Sequence, residues 1–293
     1  MSTALFTFCT LFCLSVAAMP ASAQTSGGPL KPFKDDLFSA QTVLSTSDNG
    51  SSQVIEYQEL RDINGRDEIP EQRVKRQYVD LAPKSLQELE TISVGGRSID
   101  VGRVGRASGQ AFTVIFIHGR GGDRRLGMKD YTFGGNFNRL KNLAVENGGT
   151  YYAPSVKSFD ENGVADVAAL IADAKAKSGG KPVILACASM GSFICYGISR
   201  DAIAAGDLKG MVILGGAVDP DFSKSALIKA KKPVYFTHGS LDKVYSADQQ
   251  ASIFRALLKA GVPTHFTLFQ TGTHGTPVRM TDWRAVLNWI FVH

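Results

Sequence analysis

The chain has 293 residues, 44% hydrophobic and 20% charged, a balance that excludes a disordered or fibrous protein. Its formal charge of +5 is mild, and its cations do not cluster with aromatics as a nucleic-acid surface would, so that partner class is set aside. A domain of this length buries about 75% of the surface its unfolded chain exposes, so it needs no disulfide framework or structural metal to fold.

Residues 1–23 carry no charged side chain, run apolar over 4–18 and end in Ala21-Ser22-Ala23, a small-residue pattern suited to signal peptidase. The segment reads as a secretory signal cleaved after Ala23, although no Lys or Arg precedes its apolar core, and it implies a secreted or periplasmic protein. The run is shorter than the roughly 20 apolar residues of a membrane span, and no later stretch is longer, so no stable span is expected once the signal is removed. Phe12 stands where lipid attachment at Cys13 would need a small residue. Cleavage removes Cys9 and Cys13. The two remaining, Cys187 and Cys195, fall at the end of an apolar strand and in the next helix, and are expected as buried free thiols.

Residues 24–85 form an N-terminal arm ahead of the main domain, 86–293. Its first part, 24–53, is rich in Ser, Thr, Gly and Pro with weak apolar periodicity, which predicts partial disorder. In 54–81 charges interrupt short apolar pairs and no element is placed. Order sharpens at 91–104, where Ile92 and Val94, then Ile99 and Val101, alternate with polar residues on either side of Gly95-Gly96, the pattern of an antiparallel hairpin. Strand-like apolar runs follow at 112–117, 150–153, 182–186, 211–214, 233–237 and 265–269. Segments of helical spacing, 137–146, 164–176, 193–205, 247–259 and 282–290, fall between and after them. Continuously apolar strands separated by helices predict an α/β fold, a mostly parallel central sheet with helices on both faces. In such sheets the working site lies at the carboxyl ends of the strands.

At the end of the run 182–186 comes Cys187-Ala188-Ser189-Met190-Gly191, followed at once by a helical pattern. A serine on a tight strand-to-helix turn has its hydroxyl pushed clear of the sheet, and small neighbours let the helix pack closely. Gly191 satisfies this after the serine, whereas Cys187 replaces the glycine usual before it; a Ser capping an ordinary helix is the competing interpretation. A serine hydroxyl needs an adjacent base. His238 ends a strand, His265 begins one and His293 is terminal, which leaves His274 in the loop 271–277 between the last strand and the last helix. Asp242, in the loop after the strand 233–237, can hold the base's tautomer without taking its proton. Asp219, after the preceding strand, is the rival acid. An oxyanion hole would use the backbone N–H of Met190 and that of Arg120 in the loop Ile117-His118-Gly119-Arg120-Gly121-Gly122. That loop could also cradle a phosphate, but no Gly-Lys-Ser/Thr follows and no dinucleotide fingerprint is present.

These segments, in the order serine, acid, histidine, resemble the α/β-hydrolase superfamily, in particular its compact carboxylesterase and dienelactone-hydrolase-like branches. The resemblance runs from about residue 91 to the end of the chain. It implies an acyl-enzyme formed on Ser189, with His274 as base and Asp242 behind it, a small-molecule ester as substrate, and no metal or organic cofactor. Dienelactone hydrolases carry a cysteine as nucleophile, where this chain has Ser189. Only about 18 residues separate the strand at 211–214 from that at 233–237, too few for the helical cap many relatives insert, so an open pocket is expected. His118, Gly119, Arg124 and Tyr131 are candidate substrate contacts near the oxyanion loop, Arg124 as part of a basic cluster that would suit an anionic group. A prolyl-oligopeptidase-like peptidase and a catalytically silent binding protein share the fold and stay open as alternatives; nothing in the sequence fixes the oligomeric state.

Overall fold

The computed structural model describes residues 28–293, so the predicted signal segment lies outside the described residues. Residues 28–86, ahead of the hairpin, carry regular secondary structure, contrary to the partial disorder expected for 24–53; residues 24–27 lie outside the described residues. This segment contains helix α1 (Asp35–Phe38), strands β1 (Val43–Ser47) and β2 (Ser52–Glu56), and a short ladder of β3 (Asp67–Glu68) with β4 (Arg73–Val74). The predicted hairpin is β5 (Gln87–Val94) with β6 (Arg97–Val104), in antiparallel register through Ile92 opposite Ile99.

The wound part follows as β7 (Thr113–Ile117), α2 (Asn136–Glu146), β8 (Thr150–Pro154), α3 (Glu161–Lys177), β9 (Val183–Ala188), α4 (Gly191–Arg200) and α5 (Ala202–Asp207). It continues through β10 (Leu208–Leu214), α6 (Ala226–Lys229), β11 (Val234–Gly239), α7 (Ala247–Lys259), β12 (Thr264–Gln270), α8 (Thr276–Met280) and α9 (Trp283–Val292). The single helix expected over 193–205 is two, because Asp201 adopts an extended backbone and its carboxylate accepts the N–H groups of Ile203 and Ala204, capping a new helix start.

Ten strands form one sheet in the order β1-β2-β12-β11-β10-β9-β7-β8-β6-β5. The run from β2 through β8 is parallel, and β1 at one end and β5 and β6 at the other are antiparallel. Side chains alternate across a strand, so each central strand feeds two cores. Val183, Leu185 and Cys187 of β9 share a core with α3, α4 and α7 on one face, while Ile184, Ala186 and Ala188 join the layer under α2 and α9 on the other. Full burial of each Val, Leu or Ile stabilises by about 1.5–3 kcal/mol, which is why these strands read as unbroken apolar runs.

The N-terminal segment joins this body by packing Leu30 and Phe33 into the core with α2 and α9, by strand pairing and by charge. Strand β2 lies parallel to β12 with Ile55 opposite Phe269, extending the sheet by the β1-β2 pair. Elsewhere it docks through charge. Arg139 of α2, wholly buried, pairs with Asp35 and Asp282, Arg284 reaches the other oxygen of Asp35, and Arg279 forks onto the buried Asp67. Arg66 lies 5.1 Å from the Phe38 ring and 4.7 Å from that of Tyr78. Between β10 and β11 only a short 3-10 turn and α6 intervene, too little chain for a separate lid. Among the described residues no helix is long and apolar enough to cross a membrane.

Candidate active site

Strands β7, β9, β11 and β12 end along one edge of the sheet, with β10 between β9 and β11, and the loops leaving them meet above it. Ser189 follows β9 directly and holds φ at 54°, a left-handed backbone that a non-glycine residue keeps only where its surroundings enforce it. The turn is pinned by the Ser189 N–H on the Leu214 carbonyl at 3.0 Å and by close neighbours. A Cβ on Gly191 would come within 2.7 Å of the His118 carbonyl oxygen, and one on Gly119 within 2.9 Å of the Ser189 Cβ, so both positions require glycine.

The structure brings Ser189, His274 and Asp242 into one hydrogen-bonded chain. The His274 Nε2 lies 2.8 Å from the Ser189 Oγ, and its Nδ1 lies 2.7 Å from the Asp242 Oδ2. A carboxylate can only accept, so Nδ1 carries the hydrogen and the bare Nε2 receives the serine hydroxyl. Asp242 is fully buried, with its Oδ1 accepting the N–H groups of Val244 and Tyr245. Asp219, the rival acid, instead pairs with Arg200 at the end of α4 and accepts the Asp221 N–H.

His238 belongs to this cluster although its position at a strand end gave no sign of it. Its Nε2 faces two acceptors, the Tyr245 carbonyl at 3.1 Å and the Asp242 Oδ2 at 3.3 Å, so it donates there. Burial holds its pKa below the ordinary histidine value and keeps the ring neutral. The legible signal was its spacing, four residues before Asp242 within one strand-loop unit.

Helix α4 begins at Gly191 without a side-chain cap, and Met190 stands at its N-terminus beside Ser189. The Arg120 and Met190 N–H groups are given to no acceptor among the described residues, and both residues line the cavity over Ser189. Helix N-termini favour developing negative charge, and such free donors suit an oxyanion.

Gly119 also lines this cavity, but the other candidate substrate contacts do not. His118 is buried: its Nε2 accepts the Val156 N–H at 3.0 Å, so its Nδ1 donates to the Gly119 carbonyl at 2.7 Å, and both nitrogens are spent fixing the loop. Arg124 turns away to the β5 carbonyl of Glu90. Tyr131 packs with the N-terminal segment, its ring under the Arg73 guanidinium at 3.6 Å. The cavity, about 400 Å³, is walled instead by Phe116, Leu126, Phe137, Leu214, Val244 and Val278, an apolar set assembled from distant segments.

Cys187 and Cys195 are joined in a disulfide, contrary to the expected free thiols. The side chain of Cys187 points from β9 towards α4, and the turn at Ser189 brings the second turn of that helix back over it, with the two Cα atoms 6.2 Å apart.

No protein-family model and no curated protein sequence matches the chain. Solved structures do, at low identity. An esterase of Pyrococcus furiosus is 13% identical over 73% of this chain and 95% of its own, with a TM-score of 0.52. A Xanthomonas campestris protein described as an α/β serine hydrolase without a lid is 16% identical over 70% and 94%, with a TM-score of 0.53. A thermostable esterase of Pseudomonas putida is 17% identical over 72% and 82%, with a TM-score of 0.50. With this sheet order and a serine turn after the central strand, the chain has the α/β-hydrolase fold, in a form without a large cap.

Proposed function

We propose that this protein is an exported serine hydrolase that cleaves carboxylic esters through an acyl-enzyme. The observation that carries the reading is the unbroken chain from the Ser189 hydroxyl through the His274 imidazole to the buried Asp242 carboxylate. In the first step the Ser189 Oγ bonds to the ester carbonyl carbon while its proton passes to the His274 Nε2, and the carbonyl oxygen, now negative, takes the Met190 and Arg120 N–H groups. Collapse breaks the carbon–oxygen bond to the alcohol, which leaves with the proton from His274. Water then repeats the sequence and releases the acid. The apolar cavity beside Ser189 supports an acyl chain as the group it holds, and the fold neighbours described as esterases support the same chemistry.

Export rests on the composition of residues 1–23, and the disulfide adds support, since disulfides persist in oxidising compartments. Amino-terminal sequencing of the protein recovered outside the cytoplasm should begin at Gln24; a retained Met1 would overturn it. For the chemistry, a fluorophosphonate probe should label the folded protein and fail on Ser189→Ala, and p-nitrophenyl butyrate should be hydrolysed by the first and not the second. Folded wild-type protein that neither reacts with the probe nor turns over esters would overturn the reading.

A further inference from the structure

A second cavity of about 410 Å³ adjoins the one over Ser189, with Phe133 and Gly275 forming walls of both. Its lining is more polar than its neighbour's. Tyr57, Thr132, Thr273 and Thr276 bring hydroxyls and Gln72 an amide. The Gln72 amide is exposed and makes no hydrogen bond among the described residues, so it is free to bond a ligand hydroxyl. Arg279, also in the wall, is neutralised by its fork onto Asp67, which leaves the Glu71 carboxylate as the uncompensated charge among the described lining residues. The lining therefore offers many neutral donors and acceptors and repels an anion.

Direction follows from the histidine. The departing alcohol takes its proton from the His274 Nε2, so it must leave on the side of His274 rather than that of the oxyanion donors. Thr273, Gly275 and Thr276, which flank His274, are walls of the second cavity. Backbone strain marks the same place: Gln72 and Phe133 hold φ at 49°, as Ser189 holds 54°.

We propose that the second cavity is the leaving-group compartment and that it takes a neutral polyhydroxylated alcohol, so that the substrates are acyl esters of sugars or similar polyols. This rests on the serine-esterase reading above. The acyl chain occupies the apolar cavity while the polyol's hydroxyls bond to Gln72 and Tyr57, and cleavage of the acyl–oxygen bond returns the free polyol carrying the proton that began on Ser189.

The test compares kcat/KM for 6-O-butyryl-glucose with that for methyl butyrate, two primary alkyl esters of the same acid. Wild type should favour the sugar ester by about tenfold or more, as a site built to bond hydroxyls does. Ile63→Trp, which fills the compartment with an indole, should reduce that ratio about tenfold, and Gln72→Met, which deletes the amide at nearly constant length, should reduce it severalfold. Gln72→Met keeps the test alive if the larger side chain prevents folding. A wild-type ratio near one, a ratio untouched in the folded variants, or a preference for butyrylcholine, which would show Glu71 selecting a cation, overturns the polyol assignment. Methyl butyrate turnover with a ratio near one sinks this proposal alone, whereas loss of all ester turnover and probe labelling sinks the esterase reading with it.

Discussion

The wound sheet and the segment that precedes it are held by different forces. From β7 to β12 the strands are sealed on both faces by aliphatic side chains, and each supplies the next with a matched apolar surface. From 28 to 86 a few buried apolar side chains, Leu30, Phe33 and Ile55 among them, are joined by directional arginine pairs, Arg139 on Asp35 and Arg279 on Asp67. Burial without direction builds a rigid platform for loops, while directional charge pairing fixes one segment in one place against that platform. The proposed chemistry sits on the platform, and the polar wall beside it, Tyr57, Glu71 and Gln72, comes from the fastened segment.

The largest effect that would break this division lies on the platform. On the proposed mechanism Asp242→Asn, which offers His274 the wrong tautomer, should cut kcat by about 10,000-fold, while Asp219→Asn changes it less than about threefold. Steady-state kinetics on the two variants checks this, and a reversed order would move the acid to the other loop. Arg139→Ala removes the cation between Asp35 and Asp282 and should destabilise the fold by about 3–5 kcal/mol, seen as a lower denaturation midpoint. Hydrogen exchange should then show protection lost first in 28–86; loss spread evenly over the sheet would erase the distinction drawn here.

Acid should act on the sheet. Partial burial against Tyr235 and Trp289, with the ring stacked 4.6 Å from that of Tyr235, holds the His265 pKa down to about 4 against an ordinary 6.5. Between those values the unfolded chain binds a proton that the folded one refuses, so stability is full above about pH 6.5 and falls as the pH drops towards 4. The loss amounts to about 3 kcal/mol. Burial lowers the pKa of His118 and His238 as well, in the same direction. Thermal melts from pH 7.5 to 4.5 should show the decline, and His265→Phe should flatten it; parallel curves would remove the assignment.

Replacing both Cys187 and Cys195 by Ala should cost about 2 kcal/mol, the loop-closure contribution of so short a bridge, with labelling of Ser189 retained. The smallest effect is expected at His238, which acts through Asp242 and Tyr245. His238→Leu should lower kcat about tenfold with little change in KM, and His238→Gln, which restores an N–H donor, should recover part of it. Equal losses in the two variants would reduce His238 to packing.

What the sequence determined alone is local in origin. Alternating Ile and Val around Gly95-Gly96 specify a hairpin, unbroken apolar runs between amphipathic segments specify a covered parallel sheet, and small residues around Ser189 specify the turn that lifts it. The chain order of Ser189, Asp242 and His274, read with loop positions at strand ends, places three side chains on one rim, where the structure joins them.

Tertiary structure decided whatever depends on partners far apart in the chain. Arg139 and Asp35 are separated by 104 residues, Arg279 and Asp67 by 212, and no periodicity marks an ion pair at such range, so the docking of 28–86 was hidden. The Cys187–Cys195 bridge needed the turn at Ser189 to bring helix over strand. His118 and Arg124 looked available for substrate until the folded chain gave them the Val156 N–H and the Glu90 carbonyl. Burial tendency is written in each residue, whereas the partner of a polar group is settled only when the fold decides which donors and acceptors meet.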